Sequence, residues 1–313
     1  MPFKTVTSPR PVLTMEGHVR ASAKLQDPSL VAMISTDPVK LAIHPTSGGT
    51  TRMAGVSLNS ADEVALLSRE VAVVRSGDEL WGIQNLSHNA VIDQVARDVR
   101  SLCYRAAGNT ALAVHWDGHA SELKVGQRDV IGRPFVLRGS VRACDVGVQE
   151  TFVVVDLDGS GGELRVHPGA TPEAGANARA PLPREAKDLD RLRGGKDLSA
   201  IWKSGKSSVC IVQRRGGANL QAKMIQLESP PLEVAVCETS LFVAYRDGTF
   251  ALYDNDSLTA ADGAPAVVSQ LRLPTRGEPR TCVFTGKSVP TAWIGTDSGE
   301  VVQVTVTRKT PNI

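Results

Sequence analysis

A unit of about forty residues recurs along the chain, and that repetition constrains the fold more than any other feature. Each copy runs as a short apolar strand, a small polar turn, a second strand rich in Val, Ala and Ile, a turn carrying Gly, and an alternating third strand. The clearest copies cover 99–125 and 141–166, and they align on Cys103 and Cys144, 41 residues apart. Two more cover 232–253 and 280–304, and weaker copies run over 30–58, 62–95 and 198–227, which makes seven starts. Long amphipathic patterns of helical period are almost absent.

The second strand of each copy has no polar interruption, as expected for a sheet covered on both faces by its neighbours. The Asp-Gly and Gly-Gly pairs that follow it supply the positive φ of tight hairpins. The first strand is the place where units converge on an axis, and small apolar side chains such as Cys fill the tapering space there. The last copy ends near Val306 with only three strands, so an N-terminal strand is expected to complete it and remove the free edges. That closing strand is placed within 12–25, at 18–25. The segment 169–196 breaks the pattern and is expected to be an insertion between units, with an Ala/Pro-rich mobile part. Its charged part, 184–193, predicts two turns of helix ended by Gly194.

On these repeats the chain resembles the WD-repeat β-propeller superfamily over nearly all of 12–306. The resemblance implies an all-β fold, a single closed β-propeller domain of about seven four-stranded blades over 1–313. Gly-His and Trp-Asp signatures are degraded, and the pair Trp116-Asp117 follows a second strand rather than a third. In size the chain is similar to the single-propeller adaptors of spindle-checkpoint, messenger-RNA export and coat assemblies. That implies a non-catalytic scaffold within a multiprotein complex.

Composition narrows the partners. The 35 basic and 33 acidic residues nearly cancel, which gives no global field for nucleic acid or an acidic membrane. Five cysteines without a C-x-x-C pair argue against a disulfide framework and a zinc site. With no apolar stretch of signal or membrane-spanning length, the expectation is a soluble protein of a reducing compartment, cytoplasmic or nuclear, monomeric within a hetero-complex. Gly205-Lys206-Ser207 and Gly286-Lys287-Ser288 lack the earlier glycine of a phosphate-binding loop, and the calcium-like 156–161 has His167 where a bidentate Glu is needed. No catalytic residue, cofactor or metal is therefore predicted.

The ends of the second strands are expected to meet on one rim of a central channel. Read in order they are His44, Arg75, His115, Asp156, Gln213 with Arg214 and Arg215, Arg246, and Thr296. Arginine forks on a rigid rim suit an acidic or phosphorylated peptide, and Trp116 beside them suits an aromatic anchor. The predicted binding set is thus His44, Arg75, His115, Trp116, Arg214, Arg215 and Arg246. Trp81, Trp202 and Trp293 lie within strand patterns and are expected to pack. A hydrolase or lyase working in the channel is the alternative; a bound metal, or a pocket in which His44, His115 and Asp156 converge, would favour it, and a channel plugged by apolar side chains would count against it. A purely structural subunit is the third.

Overall fold

The computed structural model describes residues 3–308 except 8–10, 26–28, 104–109, 127–128, 136, 138, 147–148, 158–159, 170–174, 216–218, 238–239, 260–263, 273–276 and 286–290. Seven antiparallel sheets surround one axis, a seven-bladed β-propeller. Blades 1 to 6 each use four strands consecutive in the chain, and blade 7 combines 279–308 with the N-terminal segment. The first strands of all seven blades line a central cavity. Because neighbouring strands are antiparallel, each turn between second and third strands, and each link between blades, lies on one face, called here the upper face. All seven of those turns contain a residue of positive φ: Gly77, Gly118, Gly162, Gly205, Gly248, Gly299 and, in blade 1, Asp37.

Ring closure differs from the expectation. His18–Leu25 is the innermost strand of blade 1, paired with Leu30–Thr36, and is not the closing strand. Its burial explains the assignment, since Val19, Ala21, Ala23 and Leu25 are all buried and Leu30–Thr36 needs an inner partner. The closing strand is Phe3–Thr7, which pairs with Glu300–Arg308 from Phe3 opposite Arg308 to Thr7 opposite Val304. Leu13–Thr14 pairs with the beginning of the same strand.

The expected insertion at 169–196 is largely blade. Ala178–Pro181 is the outermost strand of blade 4, and Arg191–Gly194 is the innermost strand of blade 5. Between them the two expected helical turns reduce to a single 3-10 turn at Arg184–Ala186. Gly194 ends no helix. A Cβ there would lie 2.1 Å from the Phe152 ring, so glycine is what lets blade 5 close on blade 4. The Ala/Pro part at 170–174 lies outside the described residues.

The innermost strands carry a further regularity. In five of them the register to the second strand slips by one residue at the same place, and the extra residues are Arg20, Arg100, Arg142, Leu232 and Arg280. Such a bulge re-aims one side chain while the flanking residues stay paired. The residues before three of them, Val19, Val99 and Val141, are buried between blades. Val99 and Val141 are therefore the equivalent positions, and aligning the repeats on Cys103 and Cys144 is off by one residue.

The cysteines also depart from the expectation. Cys103 and Cys144 form a disulfide between the innermost strands of blades 3 and 4, with Cα atoms 6.1 Å apart, a separation at which two cysteines can bond. Cys210, Cys237 and Cys282 are buried and lie outside that bond. Trp202 and Trp293 head the fully buried large side chains and pack as predicted, and Trp81 is half-buried.

Candidate functional site: the channel mouth

The upper end of the channel opens into a cavity of about 340 Å³ lined by residues of every blade. Six arginines lie on it: Arg20, Arg75, Arg191, Arg193, Arg246 and Arg280. Three are held by carboxylates. Arg75 Nε donates to Glu63 Oε2 at 2.7 Å, and that carboxylate also accepts the Leu102 N–H at 2.8 Å. Arg193 pairs with Glu233 at 3.2 Å and stacks over Trp202 at 5.6 Å from the ring centroid. Arg280 pairs with Asp297 and Glu278, each at 3.2 Å. Arg20, Arg191 and Arg246 are exposed and have neither a hydrogen bond nor an ion pair among the described residues.

Two further arginines near the mouth are structural. Arg142 is buried and donates to Asp156 and Gly161 O, each at 2.8 Å, and to Lys187 O, so it ties the second-to-third turn of blade 4 to the link into blade 5. Arg100 donates to Arg142 O. Half-buried Lys24 and the buried carboxyls of Asp145 and Glu233 are ionisable groups that feel one another and Arg193. Burial pushes the carboxyls of Asp145 and Glu233 up and the Lys24 ammonium down, although Asp145 also accepts the Gly194 N–H at 2.9 Å. Trp202 lines the cavity with its indole N–H buried and without a hydrogen-bond partner among the described residues.

The predicted rim residues divide between the two faces. Arg75, His115, Trp116, Asp156, Arg246 and Thr296 follow or end second strands and lie on the upper face. His44 ends the third strand of blade 1, and Gln213 and Arg214 end the third strand of blade 5, so these and Arg215 lie on the opposite face. The cause is the missed inner strand in each of those blades, since counting from one strand late exchanges the two ends. His44 is held by Thr51 at 2.9 Å and packs on Trp293, and burial lowers its pKa. Arg214 pairs with Glu150 at 3.1 Å. His115 is buried, bonded to Ser121 and stacked at 3.9 Å on His119; burial, then the neighbouring ring, lowers its pKa. His44 lies on the face opposite to His115 and Asp156, so the three do not form the converging pocket that would have favoured the channel-enzyme alternative.

No family model and no curated protein matches the chain. Solved structures do. The N-terminal domain of Nup159 superposes with a TM-score of 0.63 at 12% identity, covering 98% of this chain and 96% of that one. The likeness is one of fold. Kluyveromyces lactis Hsv2 superposes with a TM-score of 0.57 at 12% identity over 94% of this chain and 98% of that one. A chain from S. cerevisiae Dbp5 bound to Nup159, Gle1, IP6 and ADP gives 0.60 at 11% identity over 98% and 95%. These likenesses agree with the seven-bladed propeller fold.

Sequence reasoning missed Arg20 and Arg191 as candidate ligand contacts. A signal for the first was present, because Val-Arg recurs at 19–20, 99–100 and 141–142. Arg191 carried no comparable signal, since its strand has only four residues.

Proposed function

We propose that the protein is a non-catalytic interaction scaffold of a multiprotein complex, and that its channel mouth captures an acidic or phosphorylated segment of a partner protein. The observation that carries this reading is the convergence of three unpaired guanidinium groups, Arg20, Arg191 and Arg246, on one cavity. Guanidinium forks bind carboxylate or phosphate oxygens through paired, charge-assisted hydrogen bonds. A rigid ring holds them in place before the ligand arrives, so little ordering cost is left to binding. Propeller neighbours found in assemblies, such as Nup159 with Dbp5 and Gle1, accord with a scaffold.

Charge reversal tests it. Combining Arg20→Glu, Arg191→Glu and Arg246→Glu should weaken an acidic peptide about a hundredfold or more, measured by fluorescence anisotropy. The melting temperature should stay within a degree or two, because exposed unpaired groups contribute little to folding. Arg215→Glu, on the opposite face, should leave capture intact. Unchanged affinity in the triple variant would sink the reading.

A further inference from the structure

The upper face has two chemically different sectors. On blades 2, 3 and 4 the arginines near the mouth are engaged within the protein: Arg75 by Glu63, Arg100 by a backbone carbonyl, Arg142 by Asp156 and two carbonyls. On blades 5, 6 and 1 the guanidinium groups of Arg191, Arg246 and Arg20 make no hydrogen bond or ion pair among the described residues, although the charge of Arg191 is felt at Glu233. Exposed apolar side chains fall in the opposite sector. Trp116, 64% exposed, directly follows the second strand of blade 3, and Leu157, 40% exposed, directly follows that of blade 4. Met53, Val91 and Ile131, also exposed, lie in outermost strands instead.

Trp116 is bare but firmly mounted. Its N–H donates to Asp98 O at 2.9 Å, the Gly118 N–H closes the turn on His115 O at 3.1 Å, and Gly118 O accepts the Val141 N–H at 2.8 Å from the start of blade 4. A large aromatic ring on a fixed backbone, with a second exposed apolar side chain at the corresponding turn of the next blade, has the properties of an interface hot spot. Charge complementarity names what joins it to the cationic sector, since both lie on the upper face.

We propose that the ligand is bipartite: one short stretch of a partner protein carrying an apolar side chain of the Leu or Phe class, which docks on Trp116 and Leu157, and an acidic cluster, which docks on Arg191, Arg246 and Arg20. The proposal rests on the arginine reading above and adds the apolar half. The halves have separate kinetic signatures. The cationic sector sets the association rate and its salt dependence, whereas the apolar contact sets the residence time.

Three synthetic peptides decide it on a surface biosensor: acidic alone, apolar alone, and the two joined by Gly-Ser linkers of graded length. The joined peptide at its best linker should bind about thirtyfold tighter than the acidic one, the size of one hot-spot contact. Trp116→Ala with Leu157→Ser should return it to the acidic peptide's affinity through faster dissociation, with the salt dependence and the acidic peptide's own binding unchanged. If no linker improves on the acidic peptide, or if that double variant binds the joined peptide as the parent does, the bipartite ligand is refuted while the arginine site stands. If the triple arginine variant still binds the acidic peptide, the arginine reading has failed, and with it the proposal.

Discussion

Opening the Cys103–Cys144 bond should lower the unfolding free energy by about 4 kcal/mol, the chain-entropy value for a closed loop of 41 residues. The bond joins innermost strands of adjacent blades, so its loop contains three of the four strands of blade 3 and the link into blade 4. Freed of it, the denatured chain regains the conformations that the crosslink had removed. Denaturant midpoints of oxidised protein, of reduced protein and of the Cys103→Ser, Cys144→Ser double variant give the number directly, with the last two agreeing. Thiol titration supplies an independent check. Oxidised, unfolded protein should show three free thiols of the five cysteines, and five after reduction. In the native state the three should resist alkylation, because burial pushes Cys210 up to about 12 and Cys282 well above its ordinary value. Five reactive thiols in unfolded, unreduced protein would show that the bond does not form.

Arg142→Met should cost about 2–4 kcal/mol, because the replacement leaves Gly161 O and Lys187 O without their donor in a buried site. Asp156, half exposed, turns to water and adds little. Arg142→Lys should recover only part of the loss, since an ammonium cannot reach three acceptors in the fork geometry that the guanidinium spans. Arg20→Met, at the same bulge position but exposed and unpaired, should change stability by less than about 0.5 kcal/mol. Equal costs at 142 and 20 would mean that the contacts of Arg142 are not what holds blade 4 to the link.

Blades 3, 4, 6 and 7 were legible in the sequence because uninterrupted second strands are followed by glycine turns, and both features come from local chemistry. Blades 1 and 5 were read one strand late. Arg191–Gly194 alternates charge because two of its residues face a polar channel, a pattern that local inspection cannot separate from a solvated helix. His18–Leu25 looked like a closing strand only because the true one, Phe3–Thr7, is short and has no apolar run. That single-strand slip moved His44 and Arg214 to the wrong face, while Arg75, Trp116 and Arg246 were placed correctly on the upper one. Which arginines are unpaired depends on carboxylates that come from other parts of the chain, such as Glu63 for Arg75 and Asp297 for Arg280. No local pattern carries that information.

The slipped register at 20, 100, 142, 232 and 280 gives the ring a set of interchangeable sockets. A residue there hangs outside the ladder, so exchanging it alters the charge near the opening without disturbing how neighbouring sheets interlock, except where, as at 100, 142 and 280, the side chain is tied within the protein. Leu232 already fills one socket without charge. Variants of such a ring can therefore differ in the charge around the opening at a few solitary positions, with the architecture inherited intact.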